Sequence, residues 1–247
     1  MPTEIKSGFF QDKNVIFSPT FHDRPAVELF LKSLFQMLDH RRDVVLVIMD
    51  NDSIEDVKPL IKSIDHPQII TVFREQNLGK ARATNEFIAE YFDRNALPRT
   101  VWSVDPDIMI DPLSFDFLSE AILNMPDNIK VLGPRYKRNE CNPEMNTFLP
   151  PRNIKGKNGK TYSIVFPFFC CVAGPVLTMT GETMRDLFNF RFFPTDNYQP
   201  YGNDDTAIYL ELKKRGLKSG YLNGTLANHL RSGDNRAVEV RRLSINS

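Results

Sequence analysis

Short apolar runs alternate with amphipathic segments through the first half of the chain. Four of the runs predict β-strands, at residues 14–18, 44–49, 69–73 and 100–104. The run at 44–49 is continuous and mostly β-favouring, which is typical of a strand buried on both faces of a sheet. The amphipathic segments predict helices at residues 25–38, from Ser53 to about Ile64, and at 79–92. Strands that alternate with helices in this way favour a parallel sheet with right-handed crossovers.

The second half of the chain has a less regular pattern. It predicts helices at residues 114–123, 182–188 and 204–215, and strands at residues 130–132, 161–166 and 171–180. Residues 135–160 are rich in Pro, Gly, Asn and Lys and predict a long loop or ribbon. We therefore expect a single α/β domain, in which helices flank a mostly parallel, Rossmann-like central sheet.

Composition places the chain among ordinary globular proteins. Of its 247 residues, 41% are hydrophobic and 25% are charged, which excludes a disordered chain, a collagen-like repeat and a disulfide scaffold. Three cysteines, Cys141, Cys170 and Cys171, do not form a secreted disulfide framework. No signal peptide is visible at the start, and the most apolar stretch is too short to cross a bilayer. We expect a cytoplasmic protein without a transmembrane segment.

Charge is balanced overall but unevenly distributed. The 31 basic and 31 acidic residues give a net charge of zero. Residues 130–160 carry eight basic and two acidic side chains, and residues 213–242 repeat that count, so each segment has a net charge of +6. Such segments usually form solvated surface, and an anionic binding partner is the alternative interpretation.

Candidate chemistry follows the predicted strands. Ligands of open α/β sheets bind beyond the carboxyl ends of the strands. The polar side chains near those ends include Thr20, Asp23, Arg24, Asp50, Asn77, Lys80, Arg82, Asp105 and Asp107. They are therefore expected to share one crevice.

Asp105-Pro106-Asp107 is the most informative of these groups. Two carboxylates one residue apart can share a hard divalent cation such as Mg²⁺ or Mn²⁺. Asp and Pro are also common turn formers, so the triplet alone indicates a turn more than a metal site.

In combination, the motifs resemble the family 2 glycosyltransferases of the GT-A fold. The resemblance begins with Asp50-Asn51-Asp52-Ser53 after an apolar strand, and continues with Asn77-Leu78-Gly79-Lys80 through Asn85 and the Asp105-Pro106-Asp107 triplet. Gly174-Pro175 and Gly202-Asn203-Asp204-Asp205 stand where that family has later motifs, so the resemblance covers roughly residues 14–230.

The resemblance implies transfer of a sugar, with inversion, from a nucleotide diphosphate to an acceptor hydroxyl, with Mn²⁺ or Mg²⁺ as cofactor. It implies a nucleotide-sugar-binding half at residues 1–112, a catalytic and acceptor-binding half at 113–232, and a basic tail at 233–247. The predicted donor-binding residues are Thr20, Asp23, Arg24, Asp50, Asn77, Lys80, Arg82 and Asp105. The predicted metal ligands are Asp107, Asp105 and His229, and Asp205, with Asp204 second, is the predicted general base.

Several alternatives remain open at the level of sequence. The acidic pair Asp204 and Asp205 also suits helix capping, and His229 also suits a purely structural role. A uridine diphosphate sugar is the usual donor of the family. The acceptor is a glycan, a lipid-linked sugar or, as the basic segments suggest, a hydroxylated DNA base. Nucleotidyl transfer and non-catalytic nucleotide-sugar binding are the competing functions.

Overall fold

The computed structural model describes residues 5–21, 24–39, 41–53, 57–136, 150–167, 172, 174–196 and 204–229. Several sequence predictions lie outside these ranges: Asp23, Asn203, the three cysteines, the start of the second helix, most of the predicted 135–160 loop, and the basic tail.

The strands of the described residues are β1 (Asn14–Thr20), β2 (Val44–Asn51), β3 (Ile69–Arg74), β4 (Thr100–Val104), β5 (Ile108–Ile110), β6 (Ile129–Tyr136), β7 (Arg152–Lys155), β8 (Thr161–Val165), β9 (Val176–Thr180) and β10 (Lys218–His229). The helices are α1 (Arg24–Leu38), α2 (Val57–Lys62), α3 (Gly79–Tyr91), α4 (Pro112–Asn124), α5 (Gly181–Asp186) and α6 (Asp204–Lys214).

Within the described residues, ten strands form one sheet in the order β3-β2-β1-β4-β9-β6-β10-β8-β7, with β5 paired to β10. The ladders among β3, β2, β1 and β4 are parallel, and so is the ladder between β6 and β10. Because β9 is antiparallel to both β4 and β6, those two strands point the same way. The mostly parallel sheet flanked by helices confirms the predicted fold class.

The core lies on both faces of this sheet. Every residue of β1, β2 and β4 is buried, as the apolar runs predict. Helix α3 packs on β1 and β2, whereas α4 packs on β6, β9 and β10. The division into halves near residue 112 stays a prediction.

The hydrophobic pattern of the sequence does not predict three of these strands, β5, β7 and β10. β10 is interrupted by Asn223 and Gly224, yet its pairing with β5, β6 and β8 makes it the longest strand of the described residues. β5 has only three residues, and β7 is mostly exposed and is held by its antiparallel ladder with β8. The strand predicted from residue 171 begins at Val176 instead, directly after Pro175, which has no N–H to donate.

A chain of polar side chains crosses the core between β1 and β4. Trp102 Nε1 donates to Thr100 Oγ1 at 2.8 Å, and Thr100 Oγ1 donates to Asn14 Oδ1 at 2.7 Å. Asn14 Nδ2 then donates to Asp43 Oδ2 at 2.9 Å, and the Trp102 ring stacks on Phe115. Since buried polar groups are costly when unpaired, Thr100 supports both of its neighbours.

We expect Thr100→Val to lower the free energy of unfolding by about 1–3 kcal/mol, because it leaves Trp102 Nε1 and Asn14 Oδ1 without their partner. Urea denaturation followed by tryptophan fluorescence measures the change. The matched control is Thr71→Val on β3, whose hydroxyl has no hydrogen bond to any described residue and whose substitution should stay within about 0.5 kcal/mol. Equal effects of the two substitutions would contradict this role of Thr100.

Candidate active site

Polar residues from distant parts of the chain meet at one edge of the sheet. β1, β2, β4, β6 and β10 point the same way, so their carboxyl ends lie together, and antiparallel β9 starts at that edge. We call this the site edge. Thr20 and His229 end their strands there, Asp50 is the next-to-last residue of β2, and Asp105 directly follows β4.

Lys80, in the first turn of α3, is surrounded by acceptors at the site edge. Its Nζ donates to Asp105 Oδ1 and to the carbonyl oxygen of Gly174, both at 2.7 Å, and lies 3.8 Å from Asp204 Oδ2. The side chains of all three charged residues are largely buried. The structure thus brings Lys80 and Asp105 together with the start of α6.

The ionisation of this pair follows from its surroundings. Burial alone would lower the pKa of Lys80, but Asp105, Asp204 and Asp205 outweigh it and raise that pKa. Burial raises the pKa of Asp105 to about 6, against the attraction of Lys80 and with some repulsion from Asp107 and Asp204. The two groups lie at ion-pair distance, with 2.7 Å between Lys80 Nζ and Asp105 Oδ1.

Asp107 and His229 form a second pair at the site edge. The antiparallel ladder of β5 and β10 sets His229 opposite Ile108, and His229 Nε2 lies 2.9 Å from Asp107 Oδ2. Asp107 Oδ1 is buried and has no hydrogen-bond partner among the described atoms. A carboxylate with a buried, unpaired oxygen beside an imidazole is a donor set that suits Mn²⁺ or Mg²⁺.

The two pairs do not form a complete metal cage. Within the described part of the chain, no group of three His, Cys, Asp or Glu side chains has the geometry to hold a metal ion. Asp105, a predicted ligand, contacts Lys80 instead of His229.

Asp205 is tied to the same edge through Gly174. The Gly174 N–H donates to Asp205 Oδ2 at 3.2 Å, and a Cβ added to residue 174 would lie 3.5 Å from that oxygen. Since Lys80 contacts the carbonyl of the same residue, Asp205 is only a few atoms from the Lys80–Asp105 pair.

Asp50 and Thr20 lie at the ends of β2 and β1. The Asp50 side chain is fully buried, and its Oδ1 accepts the Ser53 N–H at 3.2 Å while Lys58 Nζ lies 3.8 Å from its Oδ2. Burial raises the pKa of Asp50, although Ser53 and Lys58 oppose that shift. The Thr20 hydroxyl donates to the Met49 carbonyl at 3.3 Å.

The side chains of both asparagines in the 77–85 motif form hydrogen bonds with backbone groups. Asn77 Oδ1 accepts the N–H of Gly79, whose φ of 70° lies in the left-handed region that favours glycine. Asn85 Oδ1 accepts the N–H groups of Phe192 and Phe193, and its Nδ2 donates to the Phe193 carbonyl. These bonds fix the start of α3 and the loop that follows α5.

Two predicted donor-binding cations lie on helix surfaces. Arg24 pairs with Glu28 and Arg82 pairs with Glu86, each four residues along its helix and largely exposed. Their donor-binding role stays a prediction, as does that of Asn77.

Sequence reasoning missed Tyr136, at the end of β6. Its buried hydroxyl accepts the Val176 N–H at 2.9 Å. Burial, with the nearby Tyr221, Asp105 and Asp107, raises the pKa of Tyr136 well above its usual value. A longer predicted β6, continued beyond Leu132, would have placed this residue at the site edge.

The basic segments are partly neutralised where the structure describes them. Lys157 and Lys130 lie 2.7 and 3.9 Å from Asp127, Lys160 lies 2.5 Å from Glu120, and Arg215 lies 2.6 Å from Glu211. None of the described helices combines the length and the apolar character that crossing a bilayer requires.

A family model described as Glycosyl transferase family 2 matches residues 15–176. None of the curated proteins compared with the chain matches it.

Similar solved structures include the mannosyltransferase PcManGT from Pyrobaculum calidifontis in complex with GDP-Man and Mn²⁺, at 15% identity over 98% of this chain and 64% of that one, with a TM-score of 0.63. S. aureus TarS 1-349 in complex with UDP-GlcNAc is 15% identical over 94% of this chain and 65% of that one, with a TM-score of 0.58. GalNAc-T7 with UDP, GalNAc and Mn²⁺ is 10% identical over 91% of this chain and 44% of that one, with a TM-score of 0.57.

At these identities the solved structures establish the fold, and the chain spans less than two thirds of the length of each. The family model covers more than half of the chain and therefore establishes the family. The chain belongs to glycosyl transferase family 2 and has the GT-A fold.

Proposed function

We propose that the protein is an inverting, metal-dependent glycosyltransferase that moves a sugar from a uridine diphosphate sugar to an acceptor hydroxyl. One observation carries this proposal: the Asp107–His229 pair and the Lys80–Asp105–Asp204 cluster lie at one edge of the sheet. An enzyme of this type needs a cation beside the leaving diphosphate and a carboxylate beside the acceptor, and the site edge offers residues for both.

In this proposal Asp107 and His229 hold the metal ion. The unpaired Oδ1 of Asp107 and the neighbouring His229 Nε2 supply one oxygen and one nitrogen. Ions of the Mg²⁺ type are commonly held by one or two carboxylates together with the substrate's phosphates, so two protein side chains are sufficient. When bound, the ion neutralises the charge that develops on the departing diphosphate. The Mn²⁺ of two similar structures supports this choice of cofactor.

The donor's nucleotide is proposed to lie along the ends of β1 and β2. Asp50 carries a carboxylate oxygen that is buried without a hydrogen-bond partner among the described atoms. A nucleobase N–H is a suitable donor for such an oxygen, since buried polar atoms are stabilised when they are paired. Two similar structures contain UDP or UDP-GlcNAc and one contains GDP-Man, which supports a nucleotide diphosphate donor.

Asp205 is the proposed general base. The Gly174 N–H holds one of its carboxylate oxygens. As the acceptor oxygen bonds to the anomeric carbon, Asp205 removes the hydroxyl proton. The bond from that carbon to the diphosphate breaks on the opposite face, which inverts its configuration.

The acceptor is proposed to be a hydroxyl of a glycan or a lipid-linked sugar. The alternative acceptor, a hydroxylated DNA base, depends on basic residues that contact phosphates. Lys130, Lys157, Lys160 and Arg215 already have acidic partners, which reduces the positive charge available to a polyanion.

We expect UDP with Mn²⁺ at about ten times its Kd to raise the melting temperature by roughly 3–6 °C, because a ligand that binds only the folded state stabilises it. In Asp107→Asn, or with a chelator present, the rise should fall below about 1 °C. A thermal-shift panel of UDP and GDP, with and without Mn²⁺, measures these values. The control is Asp127→Asn, which changes an exposed carboxylate of a surface ion pair. A rise in wild type that survives chelation would exclude metal-dependent binding.

We expect Asp205→Asn to slow donor hydrolysis by about 10²–10⁴-fold, because water, like an acceptor hydroxyl, needs a base to take its proton. Hydrolysis of UDP-GlcNAc and GDP-mannose, followed by release of UDP or GDP, makes the test independent of the acceptor. The variant should bind UDP and Mn²⁺ like wild type. Asp204→Asn, the neighbouring control, should lose less than about tenfold. Hydrolysis by Asp205→Asn at the normal rate would show that another group is the base.

A further inference from the structure

Both polar backbone groups of Gly174 form hydrogen bonds with side chains of the site edge. Its N–H donates to Asp205 Oδ2 at 3.2 Å, and its carbonyl accepts from Lys80 Nζ at 2.7 Å. The proposed base and the buried lysine therefore contact the same residue, although they lie 125 positions apart in the sequence.

The backbone of Pro175, next to Gly174, also forms a hydrogen bond at the site edge. The Asp105 N–H donates to the Pro175 carbonyl at 2.8 Å, while the Asp105 side chain accepts from Lys80. Lys80, Asp105 and the Gly174-Pro175 backbone thus form a closed ring of two hydrogen bonds, one ion pair and covalent bonds. Asp205 is attached to this ring through the Gly174 N–H.

We propose, on the basis of the function proposed above, that Lys80 is a positioning residue: it fixes the Gly174 backbone so that the Gly174 N–H orients the carboxylate of Asp205 toward the acceptor. The sequence predicts a different role for Lys80, direct binding of the donor. An ammonium group has three N–H donors, and two of those on Lys80 are used at 2.7 Å by Asp105 and Gly174. Contact with a donor phosphate is therefore the minor part of its role.

The magnitude of the effect follows from the sensitivity of catalysis to geometry. A displacement of about 1 Å in a reacting group can reduce the rate by about 10²-fold. Without Lys80, the Gly174 carbonyl loses its charged donor, and the ring opens at two of its contacts. The position of the Gly174 N–H, and with it that of Asp205, is then fixed less precisely.

The test is a double-mutant cycle with Lys80→Met and Asp205→Asn, using hydrolysis of UDP-GlcNAc and GDP-mannose. We expect Lys80→Met alone to lower kcat by about 10–100-fold. Its Kd for UDP with Mn²⁺, measured by calorimetry, should change less than about threefold. In the Asp205→Asn background the same substitution should lower the remaining kcat by less than about threefold, because residues that act through one another are not additive.

Two further variants keep the result interpretable if Lys80→Met is unstable. Lys80→Arg keeps the charge and a donor for the Gly174 carbonyl. Its kcat should be at least about ten times that of Lys80→Met. Lys157→Met is the matched control: it removes a lysine–carboxylate contact of the same 2.7 Å length, with Asp127, from an exposed turn. It should leave kcat and Kd unchanged.

The outcomes separate this inference from the proposed function. Lys80 binds the donor if Lys80→Met raises the Kd for UDP by about tenfold or more, or if the loss of kcat in the double variant equals the product of the two single losses. In either case the positioning role is wrong while the proposed function stands. If wild type neither binds nor hydrolyses a nucleotide sugar, the function and the inference both fail.

Discussion

Like charges gathered in a small volume repel one another, and the site edge depends on how that repulsion is balanced. Four carboxylates come together there from two separate segments: Asp105 and Asp107 from one, and Asp204 and Asp205 from the other. Lys80 supplies a positive charge between these two segments, and its attraction opposes the rise that burial causes in the pKa of Asp105. His229 Nε2 contacts the carboxylate of Asp107. The site is thus already organised around positive and polar partners before any donor arrives.

The sequence was a good guide to the parallel part of the sheet, for a physical reason. Strands buried on both faces are continuous apolar runs, so β1, β2 and β4 could be located within a few residues. β3 is only partly buried, and its β-favouring residues located it. The residues at the carboxyl ends of those strands must then lie at one edge, and for this reason the sequence predicts that Asp50 and Asp105 lie near each other.

What could not be predicted depends on contacts between distant segments. β10 contains a glycine and several polar residues, and only its ladders with β5, β6 and β8 make it a strand. The pairing of Asp107 with His229 follows from that ladder. The contact of Lys80 with Gly174 was missed for a similar reason, since no spacing in the sequence indicates that a backbone carbonyl will accept from a lysine 94 residues away. Tyr136 was missed because the apolar pattern predicts a strand only at residues 130–132, whereas β6 continues to Tyr136.

The position of His229 has a consequence for how the protein folds. It is the last residue of β10, and β10 can be placed only after β5, β6 and β8 are available to pair with it. Native contacts that join such distant segments form slowly, since the intervening chain must first be brought together. We therefore expect the Asp107–His229 contact to form late in folding. If this pair holds the metal ion as proposed above, metal affinity reports complete folding of the sheet.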